Sequence, residues 1–202
     1  MSTSPATPGR RERNKQQKLE RIVAAAADLF AERGVDDVTT TEIAERADIG
    51  TGTLFLYAKN KGELLLLVQN GLYEKALARG REASAPAAGT LEGLLAVIRP
   101  IVECNRVHVE NGRTYLREMV FGDPNDPQHA AALGIVLETQ QLFAKILQRQ
   151  SRLDDQQAAT LAPVVSAIMF VTMAASINAA ASVEELIQQI TDQVRVILPS
   201  TV

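Results

Sequence analysis

The sequence predicts an all-α protein of about nine helices. Three observations carry this reading. Apolar residues recur at three- and four-residue spacing along most of the chain, which is the period of one helix face. No stretch alternates apolar and polar residues as a half-buried strand does, and no Asn-Gly or Asp-Gly pair joins two β-like runs. Ala and Leu are abundant and only 4% of residues are aromatic; Ala and Leu lose little freedom on entering a helix. With 46% hydrophobic and 22% charged residues, the 202-residue chain has an ordinary globular balance and room for one large domain or two small ones.

Residues 1–12 combine Pro, Ser, Thr and Gly with basic residues and are expected to form a disordered basic leader. A helix is expected over 13–33, with Leu19, Ile22, Val23, Ala26, Leu29 and Phe30 on one face and Gly34 as its stop. Thr39 and Glu42 fit the S/T-x-x-E capping box, so a short helix should run from 40 to 47. Asp48-Ile49-Gly50 is a tight connection to a second short helix over 51–57. After the break at 59–62, a long helix carries Leu64, Leu65, Val68, Leu72 and Leu77 to about residue 81. A linker at 83–90 precedes a helix over 91–110, which Asn111-Gly112 should interrupt. Further helices are expected over 113–121, 128–151 and 154–180. Ser182 with Glu185 caps a last helix, which Pro199 ends.

The net charge is −3, but it is unevenly spread. Residues 9–21 hold six Lys/Arg against two Glu, whereas residues 62–202 hold 11 Lys/Arg against 15 Asp/Glu. A basic start and an acidic body point to two different jobs. The single cysteine, Cys104, excludes an internal disulfide framework and suits a reducing cytoplasm; the first residues lack the apolar core of a secretory signal.

Two short helices joined by a tight turn have the dimensions of a helix-turn-helix. Thr51, Gly52 and Thr53 open the second of them. Their hydroxyls and methyls suit base edges in a major groove, and the glycine lets the backbone approach. Thr41 points to the same side. Helix starts near Thr40 and Lys61, together with Lys59 and the Tyr57 hydroxyl, are expected to hold phosphates. Arg10 to Lys18 would extend the contact along the duplex.

On these residues the sequence resembles TetR-type transcriptional repressors. Residues 19–68 carry Ile22, the four alanines at 24–27, Leu29, Phe30, Gly34, Thr39, Ile43, Ala44, Ala47, Gly52, Thr53, Leu54, Tyr57, Lys61 and Leu64 in the family's order and spacing. Phe55, Gly50 and Ala58 stand where the family often has Tyr, Ser and Phe. The resemblance implies a homodimer that binds operator double-stranded DNA. It also implies a DNA-binding domain made of the first three helices, a linking fourth helix, and a dimer interface made of the last two. The division expected is a leader at 1–12, a helix-turn-helix domain at 13–60 and a helical ligand-binding and dimerisation domain at 61–202.

Residues 158–183 carry no charge. Pro163, Asn178, the many small residues and the absence of flanking Lys/Arg clusters speak against a membrane span. A helix apolar all round is instead buried. The expected twofold interface comprises Val164, Val165, Ile168 and Val171, completed by Leu186, Ile190, Val194 and Ile197. A pocket for a small molecule is expected among Ile101, Cys104, Asn105, His108, Tyr115, Met119, Phe121, Phe143, Met169 and Met173. Cys104 and His108 share a helix face but lack the further ligands of a metal site and the orienting group of a nucleophile. No phosphate-binding loop or dinucleotide fingerprint is present, so neither catalytic residues nor a cofactor is expected.

Overall fold

The computed structural model describes residues 9–150 and 153–199. Among these residues the chain forms nine α-helices and one short 3₁₀ turn, with no strand. In order they are α1 (Arg10–Arg33), α2 (Thr40–Arg46), α3 (Thr51–Leu54), α4 (Lys61–Ser84), α5 (Thr90–Arg106), α6 (Val109–Phe121), α7 (Pro127–Gln150), α8 (Asp155–Ala174) and α9 (Val183–Ile197). The 3₁₀ turn is Ser176–Asn178. The chain divides into two compact units, one ending at Val68 and the other beginning at Gln69. The division falls inside α4, seven residues after its start.

In the first unit α1 packs on α2, and α2 on α3. Ile22, Ala26, Leu29 and Phe30 of α1 meet a core that includes Ile43, Ala44 and Leu54. Gly34 ends α1 at φ 81, where a side chain would be strained, and its N–H bonds the Phe30 carbonyl. α1 starts at Arg10, so residues 10–12 of the expected leader are helical; residues 1–8 lie outside the described part. α3 is one turn shorter than expected. Beyond Leu54 the chain tightens into i→i+3 bonds, Leu56 N to Thr53 O at 3.1 Å and Tyr57 N to Leu54 O at 2.9 Å.

In the second unit α7 and α8 form the most extensive helix pair, and α9 lies against α5 and α8. The helix expected over 91–110 breaks earlier than Asn111-Gly112. His108 adopts an extended conformation and its Nδ1 accepts from the Asn111 N–H, which starts α6 at Val109. Gly112 then sits inside α6 for a packing reason. A Cβ there would lie 2.2 Å from the Asn105 carbonyl oxygen, so only glycine allows α6 onto α5. α8 ends at Ala174 rather than near 180, and the 3₁₀ turn leads to the Ser182 cap of α9. α7 and α8 are long and apolar enough to cross a membrane by length and composition. Both pack within the helical body, where α8 buries Val165, Met169 and Met173.

Candidate functional site

The first unit carries a helix-turn-helix whose start is fixed by hydrogen bonds. The Thr39 hydroxyl accepts from the Glu42 N–H at 3.2 Å, and the Glu42 carboxylate accepts from the Thr39 N–H at 2.8 Å. Arg33 adds a bond to the other Glu42 oxygen at 2.9 Å. The Thr39 hydroxyl, the Thr39 N–H and Arg33, in that order, hold the Glu42 carboxyl down at about 2. Thr39 is therefore a cap. Between α2 and α3 the turn passes through Asp48 at φ 54, a left-handed conformation that Asp tolerates better than most side chains.

At the start of α3, Thr51 and Thr53 are partly exposed and Gly52 is exposed. A Cβ at Gly52 would meet nothing within 4 Å, so this stretch of backbone stands open. Thr41 is exposed and Thr40 partly so. The Tyr57 hydroxyl reaches the Lys15 carbonyl at 3.5 Å, the limit for such a bond. Lys59 is exposed and lies 3.8 Å from Glu63, which also accepts the Lys59 N–H. Lys61 is engaged within the unit itself. Its ammonium donates to the carbonyls of Val35 at 2.8 Å and Asp36 at 3.1 Å, tying down the loop between α1 and α2. Leu56, expected from the sequence to join Leu54 and Ile43 in the core, is not buried. It follows Leu54 by two positions, about 200° around a helix, so the two cannot share a face. Leu54 and Ala58 are buried, whereas Leu56 is 83% exposed beside a half-exposed Phe55.

The second unit contains a small cavity of about 10 Å³ lined by Tyr73, Ile101, Tyr115, Met119, Ala132, Ile135, Val136, Thr139, Met169 and Phe170. It has room for about one water. Of the expected pocket residues, Ile101, Tyr115, Met119 and Met169 line it. Asn105 stands behind it, donating to the Tyr73 hydroxyl at 2.8 Å. Tyr73 and Tyr115 stack with centroids 4.3 Å apart, and the Tyr115 hydroxyl donates to Asn70 at 2.9 Å. Burial drives both phenols well above their ordinary range, so both stay protonated. Phe143 and Met173 are buried elsewhere in the core, and His108 serves as the α6 cap. Phe121 is 82% exposed at the end of α6, because that helix turns its other face inward. Burial pushes the Cys104 thiol up to about 11, which leaves it protonated and a poor nucleophile. Among the described residues no three His, Cys, Asp or Glu side chains gather as metal ligands would.

The expected interface residues divide. Val165, Leu186, Ile190 and Val194 are buried inside the unit itself, because α9 spends its apolar stripe on α5 and α8. Ile168 and Ile197 are half-buried. Val164 and Val171 are exposed, on an outer α8 face with exposed Pro163, Ala167 and Ala174.

Residues 22–68 match the family described as bacterial regulatory proteins, tetR family. That segment spans α1 from Ile22, the whole helix-turn-helix and the start of α4. This segment of the chain is TetR-like. The transcriptional repressor KstR of Rhodococcus jostii is 23% identical over 91% of this chain and 84% of its own length. The class D tetracycline repressor protein of Escherichia coli is 39% identical over 70 residues, 35% of this chain and 30% of that protein. The crystal structure of Thermus thermophilus FadR, a TetR-family transcriptional repressor in complex with lauroyl-CoA, has the same fold. It matches with a TM-score of 0.70 at 23% identity over 91% of this chain and 97% of that one. The likeness therefore covers the N-terminal segment in sequence and the helical body that follows it in fold.

Proposed function

We propose that this chain is a ligand-responsive repressor of the TetR family, that it binds operator DNA as a homodimer and that it releases it when a small molecule enters the helical body. The observation that carries the reading is the family match over residues 22–68, joined to an α3 start whose Thr51, Gly52 and Thr53 are open to a partner. Thr41, Thr51 and Thr53 read base edges, and Gly52 lets the backbone come close. Thr40, Tyr57, Lys59 and the exposed basic start of α1 hold phosphates. Lys61 supports this surface from behind by fixing the loop before α2.

A homodimer is supported by the family and by the exposed apolar row Val164, Ala167, Val171 and Ala174 on α8, with Ile177 at 90% exposure just beyond it. Apolar residues left uncovered in one contiguous row favour a partner surface. In a twofold assembly the two α3 segments stand roughly one turn of DNA apart, about 34–36 Å. Effector binding is supported by the cavity between Tyr73 and Phe170 and by the lauroyl-CoA complex of the T. thermophilus relative. A cavity that holds one water must widen to take an effector. The widened form therefore differs from this one, and DNA affinity falls by the coupling free energy between the two sites. The reading assigns the protein no catalytic role, no cofactor and no metal, and places it in the cytoplasm.

Selection of genomic fragments on the full-length chain, followed by gel shift across a range of salt, tests the proposal. One or a few fragments should be retained far above bulk DNA, with affinity falling steeply as salt rises. Retention no better than bulk DNA would reject operator binding.

A further inference from the structure

We infer that Arg106 and Arg113 form a seat for an oxyanion, a carboxylate or phosphate group, at the junction of α5 and α6. The junction is tight: Gly112 leaves no space for a Cβ against the Asn105 carbonyl. Arg106 follows Asn105 and Arg113 follows Gly112, so both guanidinium stems leave from this contact. One Arg106 nitrogen, Nη2, donates to the carbonyls of Asn178 at 3.0 Å and Met173 at 3.3 Å. The Nε and Nη1 of Arg106 and the Nε of Arg113 are buried with no acceptor.

Such orphaned donors are rare, and they are most costly when charged. Glu110, mostly exposed, lies 3.6 Å from Arg113 Nη1; among the described residues no ion pair reaches Arg106. Burial first, and then the positive charge of Arg113, disfavour the charged form of Arg106. An arginine stays protonated nonetheless, so two like charges share a half-buried site. The Met173 and Asn178 carbonyls engage only Nη2 of Arg106 and Glu110 only Nη1 of Arg113, so the three buried donors still lack an acceptor. An oxyanion supplies both an acceptor and a negative charge, and the planar guanidinium fork matches its paired oxygens. Arg113 keeps 29% of its side chain exposed, so the seat lies close to the surface.

The role of this seat rests on the reading of the second unit as the effector-binding body. Asn105 holds Tyr73 of the apolar cavity on one side and precedes Arg106 on the other. The effector is then an anion with an apolar part: its head sits on the two arginines and its tail lies beside Tyr73.

Calorimetric titration of the full-length chain, without DNA, tests this with octanoate, octyl phosphate, 1-octanol and inorganic phosphate. The acid or the phosphate ester should bind at least about ten-fold tighter than the alcohol. Preference for one of the two anions tells carboxylate from phosphate. Arg113→Gln should abolish the preference over the alcohol. It should also leave the unliganded melting temperature unchanged or higher, since it removes a like charge; a merely structural arginine would lower it. Arg106 also caps the α8 end, so Arg113 is the decisive position. Equal binding of anion and alcohol, an unaltered preference in Arg113→Gln, or no binding of any anion at millimolar concentration would overturn the seat. Because no DNA is present, such a failure leaves operator binding untouched, and a failed gel shift leaves this titration readable.

Discussion

Two pairs of glycines, one from each unit, sit in opposite surroundings. Gly50 and Gly52, around the start of α3, have nothing within 4 Å of where a Cβ would stand. Gly80 and Gly112, in the second unit, are pressed against backbone: Val97 Cα at 2.9 Å and Asn105 O at 2.2 Å. The same residue type meets opposite demands. At Gly80 and Gly112 glycine is needed because helices already touch. At α3 no neighbour within the fold demands glycine, which leaves that stretch of backbone open to a partner.

Gly112→Ala tests the closed side and has the largest expected effect. The methyl must displace the α5 backbone and the Asn105 side chain, and urea denaturation should reveal a loss of about 1–3 kcal/mol. Undiminished stability would mean the α5–α6 junction is looser than described.

Gly52→Ala tests the open side. It should leave the fold unharmed or more stable by about 0.5–1 kcal/mol, as alanine does in a helix, while operator affinity drops by about 1–2 kcal/mol. If the alanine variant binds operator as well as the parent, no close backbone approach occurs there.

Lys61→Met sharpens the line between support and contact within the first unit. Losing two charge-assisted bonds to the Val35 and Asp36 carbonyls should cost about 1–2 kcal/mol of stability, read from thermal melting of the full chain. A melting temperature equal to the parent's would argue that Lys61 serves only the DNA.

The smallest effect concerns pH. Glu42 has its carboxyl lowered from an ordinary 4.5 to about 2 in the fold. Its ionised form therefore stabilises the α2 cap at every pH above 4.5, and that contribution is lost as pH falls from 4.5 through about 2. Melting temperatures of the parent should decline more steeply across this window than those of Glu42→Gln. Parallel curves would assign the acid sensitivity elsewhere.

The local signals of this fold were legible where they are self-contained. Thr39 with Glu42, and Ser182 with Glu185, announce helix starts by spacing alone, and both form the predicted reciprocal bonds. Gly34 announces a stop. Other features depend on partners distant in sequence. Asn111-Gly112 resembles a break, yet Gly112 is there to let α6 meet Asn105. His108, with no strong breaking tendency, makes the break by lending a ring nitrogen to Asn111. The apolar stripe of α9 is plain in the sequence, but periodicity cannot say whether a stripe faces its own core or a second chain. Tyr73 and Phe170 join one cavity from helices almost a hundred positions apart, which no local pattern encodes. Leu56 was open to correct reading, because two residues cannot bring a helix back to the same face.

Cys104 has a practical consequence. It is the only thiol in the chain, it is partly covered, and at neutral pH it holds its proton. Maleimide reagents attack thiolates, so a second cysteine placed on an exposed position such as Phe121 should be labelled well before the native one. A fluorophore or spin label can then be attached to the body without first deleting Cys104, and rearrangement can be followed in the natural core.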